Sequence, residues 1–175
     1  ETGIDWVKVL HGEQKMVIHN PLPTSATIKA KSKVTGLVDK GADKGALILT
    51  ERTLKDAESG LDLATLTSTT FARGNGGYDG PSDEAPRPHK VPEREPDFAV
   101  DLTTLDMAAL IYRLSGDYNP LHASPSVARA AGFPKPILHG LCSLGVAGHA
   151  ILKGCCDYDA KRLKSLQLRF SSPVY

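Results

Sequence analysis

Five segments between residues 6 and 73 (WVKVL, QKMVI, TIKAKSKVTGLVD, GALILTERTL and LATLTSTTF) are rich in Val, Ile, Leu and Thr. Several of them alternate apolar and polar side chains, the period of a strand with one covered face. β-branched residues are stiff at χ1 and pack well on a pleated surface, so this composition favours sheet over helix. Asn20-Pro21-Leu22-Pro23 and the run Lys40 to Gly45 punctuate the segments as turns. The pattern predicts an antiparallel meander, while the order of its strands in space is not legible.

Residues 74–97, which begin GNGGYDGPSDEAPRPHKVPEREP, change character. Their density of Gly, Pro and charge excludes a regular helix or a central strand, so they read as a linker, part of which can serve as a ligand-binding loop. Beyond it, helices are expected at 103–115, 125–131 and 140–153. In the first, Thr103 is the candidate cap with Asp106 three residues on, and Met107, Leu110, Ile111 and Leu114 share one face. In the third, Leu141, Leu144, Ala147, Gly148, Ile151 and Leu152 form an apolar stripe. Gly145 and Gly148 are read there as points of close approach, and Lys153-Gly154 as the stop. Leu166, Leu168 and Phe170 alternate with polar residues as a final strand. A long apolar helix and an antiparallel sheet define an α+β chain divided as 1–73, 74–97 and 98–175.

The chain is 41% hydrophobic and 23% charged with a net charge of +1, as expected of a globular protein and not of a general nucleic-acid binder. Only Lys29, Lys31 and Lys33 favour such binding, and alternating lysines read better as the solvated face of a strand. No apolar run approaches the roughly 20 residues of a membrane-spanning helix, and the first residues show no signal-peptide pattern. Cys142, Cys155 and Cys156 lack zinc-ligand spacing and read as reduced thiols, in keeping with an intracellular setting. A nucleophilic Cys142 is the sharper alternative.

Chemistry concentrates in Gly116-Asp117-Tyr118-Asn119-Pro120-Leu121-His122. Asn119-Pro120 disfavours helix, so Asp117, Asn119 and His122 can converge from a turn. A carboxylate and an imidazole on one cavity can hold a water, one accepting its proton and the other delivering a proton to carbon; Asn119 can orient either partner. His139-Gly140 then opens the apolar helix. The first N–H groups of a helix lack internal partners and carry the positive end of its dipole, so the Gly140 N–H can receive a developing oxyanion. The plain alternatives are a turn held by its own Asp and Asn side chains, and a helix start with His139 capping or packing.

YRLSGDYNPLH followed by AGFPKPILHGLCSLG resembles the hydratase 2 motif of the MaoC-like (R)-specific enoyl-CoA hydratases, including the hydratase 2 unit of peroxisomal multifunctional enzyme type 2 and its bacterial relatives. VKVLHGEQ, NPLP, VDKG, GNGGYDG and RFSSPVY resemble the same family in the same order, so the likeness spans nearly the whole chain. It implies a double hot-dog fold in which a curved antiparallel sheet wraps a long helix, with 1–73 as the substrate-binding first repeat and 98–175 as the second. Family members carry further segments before VKVLHGEQ and after PVY. The expectation is therefore a fold cut at both ends, in a homodimer or as part of a larger multidomain chain.

The resemblance further implies a hydro-lyase of fatty-acid β-oxidation that reversibly hydrates trans-2-enoyl-CoA to (3R)-3-hydroxyacyl-CoA. It needs no metal and no cofactor, CoA being part of the substrate. Asp117 and His122 become the catalytic pair, with Asn119 beside them and Gly140 as oxyanion donor. Substrate contacts fall on His11, Gly12, Lys40, Gly116, Tyr118, Pro120, Leu121 and Phe170. The location implied is cytoplasmic in a bacterium and peroxisomal in a eukaryote. The rival readings are a hot-dog acyl-CoA thioesterase and a non-catalytic acyl-CoA-binding module.

Overall fold

The computed structural model describes residues 2–82, 85 and 87–175. Its first unit comprises Glu1–Lys90 with Asp159–Arg169, and its second Val91–Tyr158 with Phe170–Tyr175. The boundary at Lys90 falls inside the Gly/Pro-rich stretch, of which residues 83, 84 and 86 lie outside the described residues.

The first unit holds a five-stranded antiparallel sheet: β1 (Val9–Ile18), β2 (Ile28–Asp39), β3 (Ala46–Asp56), β4 (Asp62–Ala72) and β5 (Ser165–Arg169), in the order β2-β3-β4-β1-β5. The meander holds for β2 to β4. WVKVL and QKMVI are not two strands: Trp6–Lys8 is a 3-10 turn, and Val9 to Ile18 run as one strand. The register of β1 slips at Gly12, between His11 and Glu13, so the strand bends without ending. β1 pairs with β4 on one side and β5 on the other, where the Gln167 amide donates to the Glu13 carboxylate. Val38, Ala46, Leu63, Ala64, Ala72 and Leu166 are buried. β2 is an edge strand, exposed over most of its length; Lys33 pairs with Glu51 across it at 2.8 Å, and such lysines deter further strand addition.

The Gly-rich stretch after β4 is more than a linker. The buried carboxylate of Asp39, at the end of β2, accepts backbone N–H bonds from Gly41 (2.8 Å) and Gly77 (2.7 Å) through one oxygen. Its other oxygen accepts from Asp79 (2.9 Å) and Gly80 (3.4 Å). One side chain thus folds both the 40–45 turn and the 76–80 loop. The bonds from Gly77 and Gly41 hold its pKa below the ordinary carboxylate value. A group whose pKa is lowered by folding stabilises fully above its unfolded pKa, about 4, and loses that contribution as pH falls through the folded value. Asp39→Asn is therefore expected to lower the urea midpoint at neutral pH, and the gap to the wild type should close below about pH 4. A gap that stays constant across that range would contradict this role.

The second unit is helical. The helix expected at 103–115 is shorter: α1 is Ala108–Tyr112, continued by a 3-10 turn at Arg113–Ser115 and ended by Gly116 in the left-handed region. Met107, not Thr103, stands at its N-cap. Short helices rely on packing of an apolar face, and Met107, Leu110, Ile111 and Leu114 are 59, 56, 47 and 79% exposed, so the early turns lack that support. α2 (Pro125–Ala130) begins after Ser124, as expected, although Ser124 bonds Ser126 and caps nothing.

α3 runs Gly140–Cys155, two residues past the expected stop. Phe98 lies where a Cβ on Gly154 would stand, so that glycine serves close contact; Asp157 and Tyr158, at positive φ, follow the helix instead. The apolar stripe of α3 is mostly half-buried, with Gly148 its buried member, and Gly145 faces open space where close approach was expected. No helix among the described residues is long and apolar enough to cross a membrane.

Candidate active site

The second unit gathers Asp117, Asn119, Pro120, Leu121, His122, Gly140 and Phe170. Asp117 accepts from the Asn119 N–H (3.2 Å), and the Asn119 side chain accepts from the Leu121 N–H (3.0 Å). These Asx-type bonds, with Pro120 at the first position, wind Pro120–His122 into a 3-10 turn. Asn119 thereby shapes the turn that presents His122. Leu121 is buried, at 4% exposure, and anchors the turn. Gly116 and Tyr118 are exposed; the Arg113 guanidinium lies 5.6 Å from the Tyr118 ring centre.

His122 Nδ1 lies 2.8 Å from the Ile137 carbonyl oxygen. A carbonyl only accepts, so Nδ1 carries the proton, and in the neutral ring Nε2 keeps a bare lone pair. That is the tautomer a proton acceptor needs. Nearby, Asp117 is exposed, so its carboxylate remains available to solvent or ligand.

His139, directly before α3, is 1% exposed. Its ring stacks on that of His122, with centroids 3.7 Å apart and 26° between planes, and lies 4.6 Å from the Tyr112 ring. Its Nε2 is 3.2 Å from the Asp117 carbonyl oxygen, and its Nδ1 is buried without a partner among the described residues. Burial, then the neighbouring His122, lowers its pKa, so this ring stays neutral. Sequence reasoning left His139 at capping or packing. The available signal was its place immediately before the helix-opening glycine.

Gly140 is the first residue of α3, and among the described residues its N–H has no hydrogen-bond partner. The Phe170 ring stands 3.2 Å from where a Gly140 Cβ would be, an approach that a side chain would obstruct. His11, Gly12 and Lys40 belong to the first unit. There His11 Nε2 bonds the Ser68 hydroxyl (2.9 Å), Gly12 sits at the β1 irregularity, and Lys40 is exposed.

One ligand atom each from Asp117, His122 and His139 lies within 4.8 Å of the others, a spacing that would admit a metal ion. The stacked rings fit one poorly: an ion shared by both nitrogens would lie well out of at least one ring plane. A carboxylate and an imidazole at this spacing suit a bridging water instead. Burial raises the pKa of the Cys142 thiol, which argues against a nucleophilic cysteine.

Residues 88–175 match the MaoC like domain, and the chain belongs to that family. Residues 1–74 match the MFE-2 hydratase 2 N-terminal domain. A probable enoyl-CoA hydratase 2 from Dictyostelium discoideum is 39% identical over 99% of this chain and 60% of its own length. The crystal structure of a MaoC-like dehydratase from Phytophthora capsici superposes with a TM-score of 0.87 at 43% identity, covering 100% of this chain and 61% of that one. Full-length peroxisomal multifunctional enzyme type 2 from Drosophila melanogaster gives a TM-score of 0.83 at 42% identity, over 99% of this chain and 31% of its own. A Mycobacterium tuberculosis protein described as a double hotdog fold matches at a TM-score of 0.58 and 14% identity, over 97% of this chain and 61% of that one, a likeness of fold alone. The fold is of the hot-dog class. The chain spans about three fifths of the length of the first curated relatives it matches, 58 and 60%.

Proposed function

We propose that the chain carries the site of an (R)-specific enoyl-CoA hydratase, a hydro-lyase that reversibly adds water to trans-2-enoyl-CoA. The observation that carries this is the pairing of Asp117 with a His122 whose Nδ1 is held by Ile137, leaving Nε2 for a proton. In this reaction a water is held between the carboxylate and Nε2. His122 takes one of its protons as the oxygen bonds to C3, and the C2=C3 electrons move toward the thioester carbonyl. The Gly140 N–H receives the oxygen that becomes enolate-like, an interaction of a type worth about 3–4 kcal/mol at the transition state. The imidazolium then returns the proton to C2. One H and one OH are added across the double bond, His122 ends neutral, and the reaction as written calls on no metal or redox cofactor.

The names of the relatives support this reading, as does the family motif. His11, Gly12, Lys40, Gly116, Tyr118, Pro120, Leu121 and Phe170 are proposed contacts of the acyl-CoA, with Lys40 toward a CoA phosphate. The likeness to a peroxisomal multifunctional enzyme supports a place in a longer chain and, in a eukaryote, a peroxisomal location; a homodimer, and a cytoplasmic location in a bacterium, are proposed as the alternatives. Incubation with crotonyl-CoA is expected to give (3R)-3-hydroxybutyryl-CoA. An (S) product, or release of free CoA in place of hydration, would overturn the assignment.

A further inference from the structure

We propose that His139 is a positioning residue, whose Nε2–H···O=C bond to Asp117 holds the carboxylate-bearing turn in register with the His122 imidazole. The Asp117 carbonyl can only accept, so the 3.2 Å contact places the His139 proton on Nε2. Nδ1 is then a bare lone pair. It is buried and finds no donor among the described residues, a cost to stability that packing alone does not require. An apolar ring would fill the space without that cost, so the polar atom that does have a partner, Nε2, is the one that matters.

The placement supports the same reading. His139 precedes α3, whose first residue, Gly140, is the oxyanion donor of the proposed reaction. Its ring stacks on His122 at 3.7 Å and makes a tilted contact with Tyr112 at 4.6 Å. His122 is in turn bonded to Ile137, two residues upstream of His139. The segment 137–140 therefore makes one bond to the His122 ring and one to the Asp117 backbone, and it sets both against the start of α3. Asp117 is exposed and follows the left-handed Gly116, and the His139 bond holds its backbone carbonyl. A neutral ring is required beneath His122, because a second positive charge at stacking distance would oppose the imidazolium formed in the reaction. Burial keeps it neutral.

Two variants separate the bond from the ring. His139→Phe keeps a flat ring under His122 and loses the donor, whereas His139→Gln loses the ring and keeps a donor at the Nε2 position. In the full chain, His139→Phe is expected to lower kcat for crotonyl-CoA about 10- to 100-fold with KM little changed, and His139→Gln to recover most of that loss. Unchanged kcat in His139→Phe, or equal losses in both, would overturn the proposal. If His139→Phe does not fold, a His139→Gln variant with impaired kcat overturns it. The kinetic arm rests on the hydratase reading, so a second measurement stands apart from activity. Nitrogen-15 spectra of the histidine rings at neutral pH are expected to show His139 protonated at Nε2 alone. Protonation at Nδ1, or at both nitrogens, would sink the bond whatever the enzyme does.

Discussion

His122→Ala is expected to hydrate crotonyl-CoA about 10²- to 10⁴-fold more slowly than the wild type, the usual contribution of a positioned general acid or base. Asp117→Asn should fall within the same range, because an amide binds water without the carboxylate's charge. Neither side chain supports the core: Asp117 is exposed and His122 half-buried, so both variants should keep the thermal transition of the wild type. Turnover close to that of the wild type in both would remove the hydratase assignment. A loss of turnover with a large drop in Tm would show only that the turn had unfolded.

Leu121→Ala is expected to cost about 2–5 kcal/mol of stability, the range for truncating a buried leucine. Leu121 is 4% exposed and sits between Pro120 and His122, so its side chain fixes the 3-10 turn on which the imidazole is carried. Urea unfolding should show a lower midpoint at an unchanged slope. Activity should fall as well under conditions where the chain remains folded, because an unanchored turn no longer holds His122 against Ile137. A variant that matched the wild type in midpoint would mean that the side chain is not packed as described.

The residues that carry chemistry were legible in the chain because their types and spacing are themselves chemical statements. Asp117, Asn119-Pro120 and His122 read as a turn with a carboxylate and an imidazole. Gly140 at a helix start reads as a free N–H. β2, β3 and β4 were visible from alternation, and β5 from Leu166 and Leu168. The interruption at Trp6–Lys8 was not, since a 3-10 turn leaves no period of its own in three residues. Nor was the late start of α1, because periodicity records which residues could share a face and not whether anything covers it.

His139 and Asp39 show the same limit from the other side. Nothing in the local pattern distinguishes a histidine that caps a helix from one stacked beneath a second imidazole, 17 positions from it in sequence. Asp39 read as the last residue of the strand segment TIKAKSKVTGLVD, yet it gathers N–H groups from residues 77–80, about forty positions away.

By itself the sequence determined the α+β class, the family resemblance and the identity of the candidate catalytic pair, since these depend on residue type and short spacing. The tertiary structure alone decided the order β2-β3-β4-β1-β5, the tautomer of His122 and the neutral ring beneath it. Those depend on which donors and acceptors meet across the chain, and burial then decides which of them must be paired.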